Sequence, residues 1–343
     1  MYSASTKGKY LEFLRQLSKY PPDEHMRKVW NSQVGSVDDT IREFLNCGWI
    51  RQATNREKIF RKYDLNGIQS ILKKYKIARK GVLIDVQPGK KKDVLIDLLV
   101  KNVSEDIINA LVEDYSIYSV TENGQKLIDE YFAYAKDKTS KMHDDALGHL
   151  RNGDVCRAGE LVSKYETGQV FSRGLGIDWS KGMDENTIKR AEYLLKGDYN
   201  DLMYDGYIKK EVSCILALTT MLGNIMTVPV EQILKLTGGD FKCSAIETFL
   251  QNPCGGMAST YFDSPRQKLE LYIHAKLFGA RNTLELKQII ANGYGKGVEI
   301  IRVKNDDCPL CKMGKSQYLW AEIDSIPELP RHWGCRCLYS GWW

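Results

Sequence analysis

The chain has 343 residues, of which 43% are hydrophobic and 27% charged, values that exclude wholesale disorder. A chain of that length can bury sizeable cores in about two to four units. Its formal net charge of +5 is too small to indicate a partner, so that question falls to the local distribution of charge.

The opening residues lack the continuous apolar region that export requires. The most apolar stretch, Cys214 to Met226, contains Thr219, Thr220 and Asn224 and is too short to span a bilayer, so a buried helix is expected there. Without an export signal, and with unevenly spaced cysteines, a reducing compartment is expected. Cys47, Cys156, Cys214, Cys243 and Cys254 then read as buried or incidental thiols.

In chain order, residues 8–20 place Tyr10, Leu11, Leu14, Leu17 and Tyr20 near helical intervals, and Pro21-Pro22 ends the pattern. Residues 37–47 repeat it with Val37, Ile41, Phe44 and Leu45, before Cys47, Gly48, Trp49 and Ile50 turn the chain. From Arg56 to Lys92 the balance becomes strongly basic. Twelve lysines or arginines (56, 58, 61, 62, 73, 74, 76, 79, 80, 90, 91, 92) face three acids, Glu57, Asp64 and Asp85. Leu65, Ile68, Ile71 and Leu72 mark one helix face, and Val94, Leu95, Leu98 and Leu99 mark a second. Two short helices joined by a lysine-rich turn can meet phosphates without reading bases; an ordinary solvated face is the plain alternative.

The segment Asp64 to Tyr75, followed by Gly89 to Leu99, resembles the SAP family of DNA-binding helix–turn–helix modules. Gly89 and Lys91 match its glycine–lysine turn, and Leu95-Ile96 its second-helix apolar pair. The resemblance implies duplex DNA as partner. Lys90, Lys91 and Lys92 are then the phosphate contacts, and Lys73 and Lys74 the secondary ones. The chain departs from that pattern between Arg79 and Pro88, where the insertion Val82 to Val86 reads either as a small strand or as a segment that pushes the two helices into a different arrangement.

Tyr115 to Val120 alternates like a strand, and Gly124 leads into a helix carrying Leu127, Ile128, Tyr131 and Phe132. This strand–helix piece resembles parts of bacterial winged-helix proteins, and a hairpin edge explains it equally. Residues 136–300 read as a helical body, with a helix stop at Gly238-Gly239 and with Arg266 to Phe278 and Leu284 to Ala291 as two helices before Asn292-Gly293. Val298 to Val303 reads as a strand delivering the chain to Cys308. His143, Asp144, Asp145 and His149 form a local polar cluster, which a solvated helix start explains more simply than a metal site. The glycines at 174, 176, 293, 295 and 297 lack the spacing and context of a nucleotide loop.

The last 36 residues hold Cys308-Pro309-Leu310-Cys311 and, downstream, His332, Cys335 and Cys337 among prolines and glycines. So short and turn-rich a segment is poorly placed to bury a core. Thiolates and imidazole are the usual ligands of structural zinc, which would supply the missing cross-link. Three residues compete for two downstream positions. His332 with Cys335 is attractive on spacing, leaving Cys337 as a neighbouring thiol, and a four-thiolate site is close behind. Disulfides, redox thiols and unliganded cysteines are the competing readings. Arg336 can partly neutralise thiolate charge. No H-E-x-x-H arrangement accompanies these ligands, which argues against a catalytic ion.

Residues 267–337 resemble the C-terminal part of bacteriophage minor head, or head morphogenesis, proteins. The matching order is a helix with Leu269 and Ala275, then Phe278-Gly279, Gly293, a short strand, Cys308, Cys311, Gly314, Pro330, His332, Cys335 and Cys337. The resemblance implies metal binding by Cys308, Cys311, His332, Cys335 and Cys337, and phage structural or other protein partners. Trp333 and Gly334 depart from the family's proline and small polar residue, and a basic module of the SAP type is not a usual part of that family.

The expected fold class is therefore mainly α with small β elements, multi-domain, with a zinc-stabilised C-terminal segment. The expected divisions are a helical unit at 1–53, the SAP-like module with a strand–helix extension at 54–135, a helical body at 136–297 and the cysteine-rich segment at 298–343. The expected function is that of a non-enzymatic, DNA-associated phage or prophage protein in head assembly or genome handling. It would act in the bacterial host cytoplasm or the virion, with no membrane partner. The alternatives are a nucleic-acid- or protein-processing enzyme with its site in the helical body, and a protein-interaction scaffold.

Overall fold

A computed structural model describes residues 4–77, 91–169, 178–251, 263–302 and 309–343. These residues are mainly helical with two small antiparallel sheets, and the chain divides into compact units at Met1–Lys138 and Thr139–Trp343.

In the first unit, helix α1 (Ala4–Leu17) buries Leu11, Phe13, Leu14 and Leu17. Helix α2 (Glu24–Val34) starts at Asp23, whose carboxylate accepts from the Met26 N–H at 2.8 Å. Helix α3 (Val37–Asn46) is capped in the same way by Ser36. These side-chain acceptors satisfy N–H groups that have no partner inside a helix. Strand β1 (Ile50–Gln52) follows and pairs antiparallel with β2 (Tyr118–Val120), Ile50 opposite Val120.

Among the described residues, the chain between those strands makes four helices: α4 (Asn55–Lys62), α5 (Leu65–Lys74), α6 (Lys91–Asn102) and α7 (Glu105–Val112). Their apolar faces meet in a separate core of Ile59, Ile68, Leu72, Leu95, Ile96, Leu99 and Ile108. Helix α8 (Glu122–Arg151) then begins. Its Leu127, Ile128, Tyr131 and Phe132 pack with the core of α1–α3. The strand–helix piece assigned by sequence to the basic module thus pairs with and packs on the opening helices. The reason is that β1 has its hydrogen-bonding partner in β2. The inserted segment at 82–86 lies outside the described residues.

In the second unit, the end of α8 is followed by α9 (Val155–Thr167), α10 (Glu185–Leu195), α11 (Gly206–Met221), α12 (Thr227–Leu236), α13 (Ser244–Gln251) and α14 (Pro265–Asn292). Every residue of α11 from Glu211 to Met221 is buried, so this part of the helix is enclosed on all sides. Glu211 is tolerated there because Arg151 grips it through Nε at 2.6 Å and Nη2 at 3.0 Å. Helix α14 is continuous where the sequence suggests two, since Gly279 carries no helix stop and Ala280 and Asn282 are buried on its core side. The helix ends at Gly293, in the left-handed conformation at φ 60°.

Strand β3 (Gly297–Ile301) is the centre of a three-stranded antiparallel sheet. It lies between β4 (Gln317–Leu319) and β5 (Leu338–Trp342), with the short helix α15 (Pro309–Lys312) on the connection to β4. At Gly295, φ 79°, a Cβ would come within 2.3 Å of the Trp342 carbonyl oxygen, so only glycine admits this approach of the chain to β5. The sheet brings the cysteine-bearing segments before β4 and before β5 to one side of the molecule's C-terminal core.

Candidate metal centre

Cys311 sits in α15 and His332 and Cys335 in the turn before β5. One ligand atom from each lies within 4.8 Å of the others, and no other such group of histidine, cysteine or carboxylate ligands occurs among the described residues. The Cys311 Sγ stands 3.1 Å from His332 Nε2 and 3.6 Å from Cys335 Sγ. A zinc tetrahedron with bonds of about 2.3 Å to sulfur and about 2.0 Å to nitrogen has edges of about 3.5–3.8 Å, so the three residues need little adjustment to accept an ion.

The imidazole is oriented for that role. His332 Nδ1 lies 2.7 Å from the Trp333 carbonyl, which can only accept, so Nδ1 carries the proton and Nε2 offers its lone pair to the cluster. The Cys335 thiol is drawn below its ordinary range. The hydrogen bond from the Cys337 thiol is the leading cause, joined by the backbone N–H groups of Cys337 and Arg331, while burial acts in the opposite sense. Cys337 is the donor of that pair and is pushed up correspondingly. Cys311, Cys335 and Cys337 are all buried, at 1–2% exposure, in a core that also contains Val298, Ile300, Tyr318, Leu329 and Tyr339.

Two arginines brace the upstream ligand. Arg331 Nη1 donates to the Leu310 carbonyl at 3.1 Å and the Met313 carbonyl at 2.6 Å, spanning α15. Arg302 Nη2 donates to the Gly314 carbonyl at 3.1 Å, where φ is 89°. Arg336, the residue expected to temper the thiolates, is exposed; Arg331, not singled out by the sequence, touches the knuckle instead. An arginine whose hydrogen bonds go to backbone carbonyls leaves no spacing signature, which is why sequence reasoning missed it.

The five expected ligands are thus distributed unevenly. Cys311, His332 and Cys335 converge, Cys337 is buried beside them, and Cys308 lies outside the described residues. His143, Asp144, Asp145 and His149 do not converge; they follow one another along α8, with Asp144 and Asp145 exposed and His149 Nδ1 3.8 Å from Asp154. Of the remaining thiols, Cys214 and Cys243 are buried, whereas Cys47 and Cys156 are exposed.

The expected phosphate contacts occupy helix ends. Lys73 and Lys74 are exposed in the last turn of α5, and Lys91 and Lys92 stand half-buried in the first turn of α6. The Lys92 ammonium lies 4.3 Å above the Phe60 ring, which holds its stem against α4. Arg56 of α4 is engaged by Asp97 at 2.7 Å and Asp93 at 3.2 Å, so that cation is neutralised locally. Lys90 lies outside the described residues. No helix among the described residues is long and apolar enough to cross a membrane.

Comparison of the chain with protein-family models, curated proteins and solved structures returned no match.

Proposed function

We propose that Cys311, His332 and Cys335, completed by Cys308 or Cys337, hold a structural Zn2+ ion that cross-links the C-terminal segment. We further propose that the whole chain is a non-enzymatic, DNA-associated protein of phage or prophage type, serving head assembly or genome handling in the host cytoplasm or the virion. The observation that carries the first part is the convergence of three soft ligands, with the imidazole tautomer already set for metal. Sulfur and nitrogen donors favour zinc over calcium or magnesium, and four protein ligands leave no position for a reacting water. The ion's contribution is then to the fold, where apparent binding free energies for small structural sites are on the order of 10–16 kcal/mol.

The DNA part rests on the SAP-like stretch and on the placement of its lysines. A helix ending in Lys73-Lys74 and one beginning with Lys91-Lys92 share one small core. Contacts of that kind grip phosphates irrespective of sequence, and they weaken steeply as salt displaces them. The test is elemental analysis of the purified chain, together with equilibrium binding to duplex DNA and to an acidic protein at two salt concentrations. One zinc per chain and salt-sensitive binding to DNA alone support the reading. Binding to the acidic protein in preference to DNA would make the basic helices a protein-docking face. A chain purified without metal would overturn the zinc assignment.

A further inference from the structure

Helix α14 holds the downstream half of the tail at two points. Asn282, with 0% exposure, donates from Nδ2 to the Cys337 carbonyl at 3.2 Å in a fully buried hydrogen bond. Ten residues earlier, about 15 Å along the helix axis, buried Tyr272 stacks on Trp333, with ring centroids 5.8 Å apart and planes 22° from parallel. The Tyr272 ring is itself fixed by its hydroxyl, which donates to Asp201 Oδ1 at 3.2 Å.

Each grip falls beside a metal ligand. Trp333 follows His332, and its carbonyl is the acceptor that sets the His332 tautomer. Cys337 lies two residues beyond Cys335 and is buried in the same small core. Asn282 is also an expensive choice for a packing role, because its Oδ1 is buried without a hydrogen-bond partner among the described residues. A leucine would fill similar space with no orphaned acceptor, so the residue's value lies in its donor. Trp333 is the residue that makes the second grip.

We propose that α14 is the template of the metal centre. Asn282 and Tyr272 are positioning residues that hold the Cys335–Cys337 turn and the His332–Trp333 peptide in ligating register before the ion arrives. This rests on the zinc reading above. Partners of ligands that act through one intervening group typically change metal affinity about 10- to 100-fold when removed.

The experiment uses the full chain stripped of metal. Zinc affinity is measured by competition with a chromophoric chelator, and Co2+ is added separately to report site geometry through its visible bands. Asn282→Leu is expected to weaken zinc about 10- to 100-fold and to alter the cobalt bands. A variant that binds zinc as tightly as wild type and gives the wild-type cobalt spectrum, whatever its melting temperature, overturns the proposal. Should Asn282→Leu fail to fold, Trp333→Leu decides by the same readouts, with Trp333→Phe expected to recover most of the affinity because it keeps a ring to stack. Wild-type affinity and cobalt bands in Trp333→Leu would then overturn the proposal. If the wild-type chain takes up neither ion, it is the metal reading that fails, and this assignment falls with it.

Discussion

Within the second unit, two cores solve the same problem in opposite ways. Among the described residues, the helical body joins thirty buried side chains from α8 to α14 around the buried stretch Glu211–Met221 of α11, while the C-terminal sheet gathers eight, three of them cysteines. At roughly 25 cal/mol per Å2 of apolar surface removed from water, the first core can hold its helices on burial alone. The second is built on strands of three to five residues and has little apolar surface to offer. On the proposed metal reading, the difference teaches where a cross-link is needed: where the core is too small, soft ligands would stand in for hydrophobic contacts.

That contrast can be broken most forcefully at Cys311. If the proposed site has four ligands and is worth roughly 10–16 kcal/mol, losing one would forfeit about 2.5–4 kcal/mol, so Cys311→Ser is expected to lower zinc affinity on the order of 100- to 1000-fold. Chelator competition measures the loss, and an unchanged affinity would remove Cys311 from the ligand set. The converse perturbation, Leu218→Ala in α11, is expected to cost about 2–5 kcal/mol in chemical denaturation of the body. It should leave one zinc per chain in place, and loss of zinc would show that the two cores are not separable.

A smaller effect tests the first unit's basic helices. Replacing Lys90, Lys91 and Lys92 together by alanine is expected to weaken duplex DNA binding about 10-fold or more and to flatten the log–log salt dependence by about three. Unchanged affinity would remove these lysines from the contact. The smallest concerns Glu57, whose carboxylate Arg51 grips through both oxygens at 2.8 Å while it also caps α4. The Arg51 hydrogen bonds are the chief reason that Glu57 titrates at about 2 rather than 4.5. A folded-state value below the unfolded one stabilises above the unfolded value, and that contribution is lost as pH falls from 4.5 through about 2. Allowing for solvent screening, Glu57→Gln should cost about 1 kcal/mol at neutral pH, and the mutant should lack the corresponding acid loss.

Much of this architecture was legible in the residues themselves. Periodic leucines and isoleucines placed α1, α3, α5, α6 and α11, and the valine–isoleucine run before Cys308 placed β3. These signals are local: a buried face repeats at the period of its element. The cysteine and histidine spacing likewise brought Cys311, His332 and Cys335 forward as one cluster. Three features were not legible, each because its partner is remote in sequence. The pairing of β1 with β2 spans the whole four-helix excursion between them. The continuity of α14 through Gly279 depends on what packs against it, since an isolated glycine within a helix is only weakly unfavourable. The roles of Arg331 and Asn282 depend on backbone carbonyls, which every residue possesses and no pattern of side chains reveals.

The most direct measurement is amide hydrogen exchange across the second unit, before and after metal is withdrawn by a strong chelator, with zinc quantified in both samples. The account predicts one zinc per chain at the outset. After its removal, protection is lost in Gly297–Ile301, Gln317–Leu319 and Leu338–Trp342 while the amides of α11 stay protected. A chain that carries no zinc, or whose three strands remain equally protected without it, would contradict the claim that an ion completes this core.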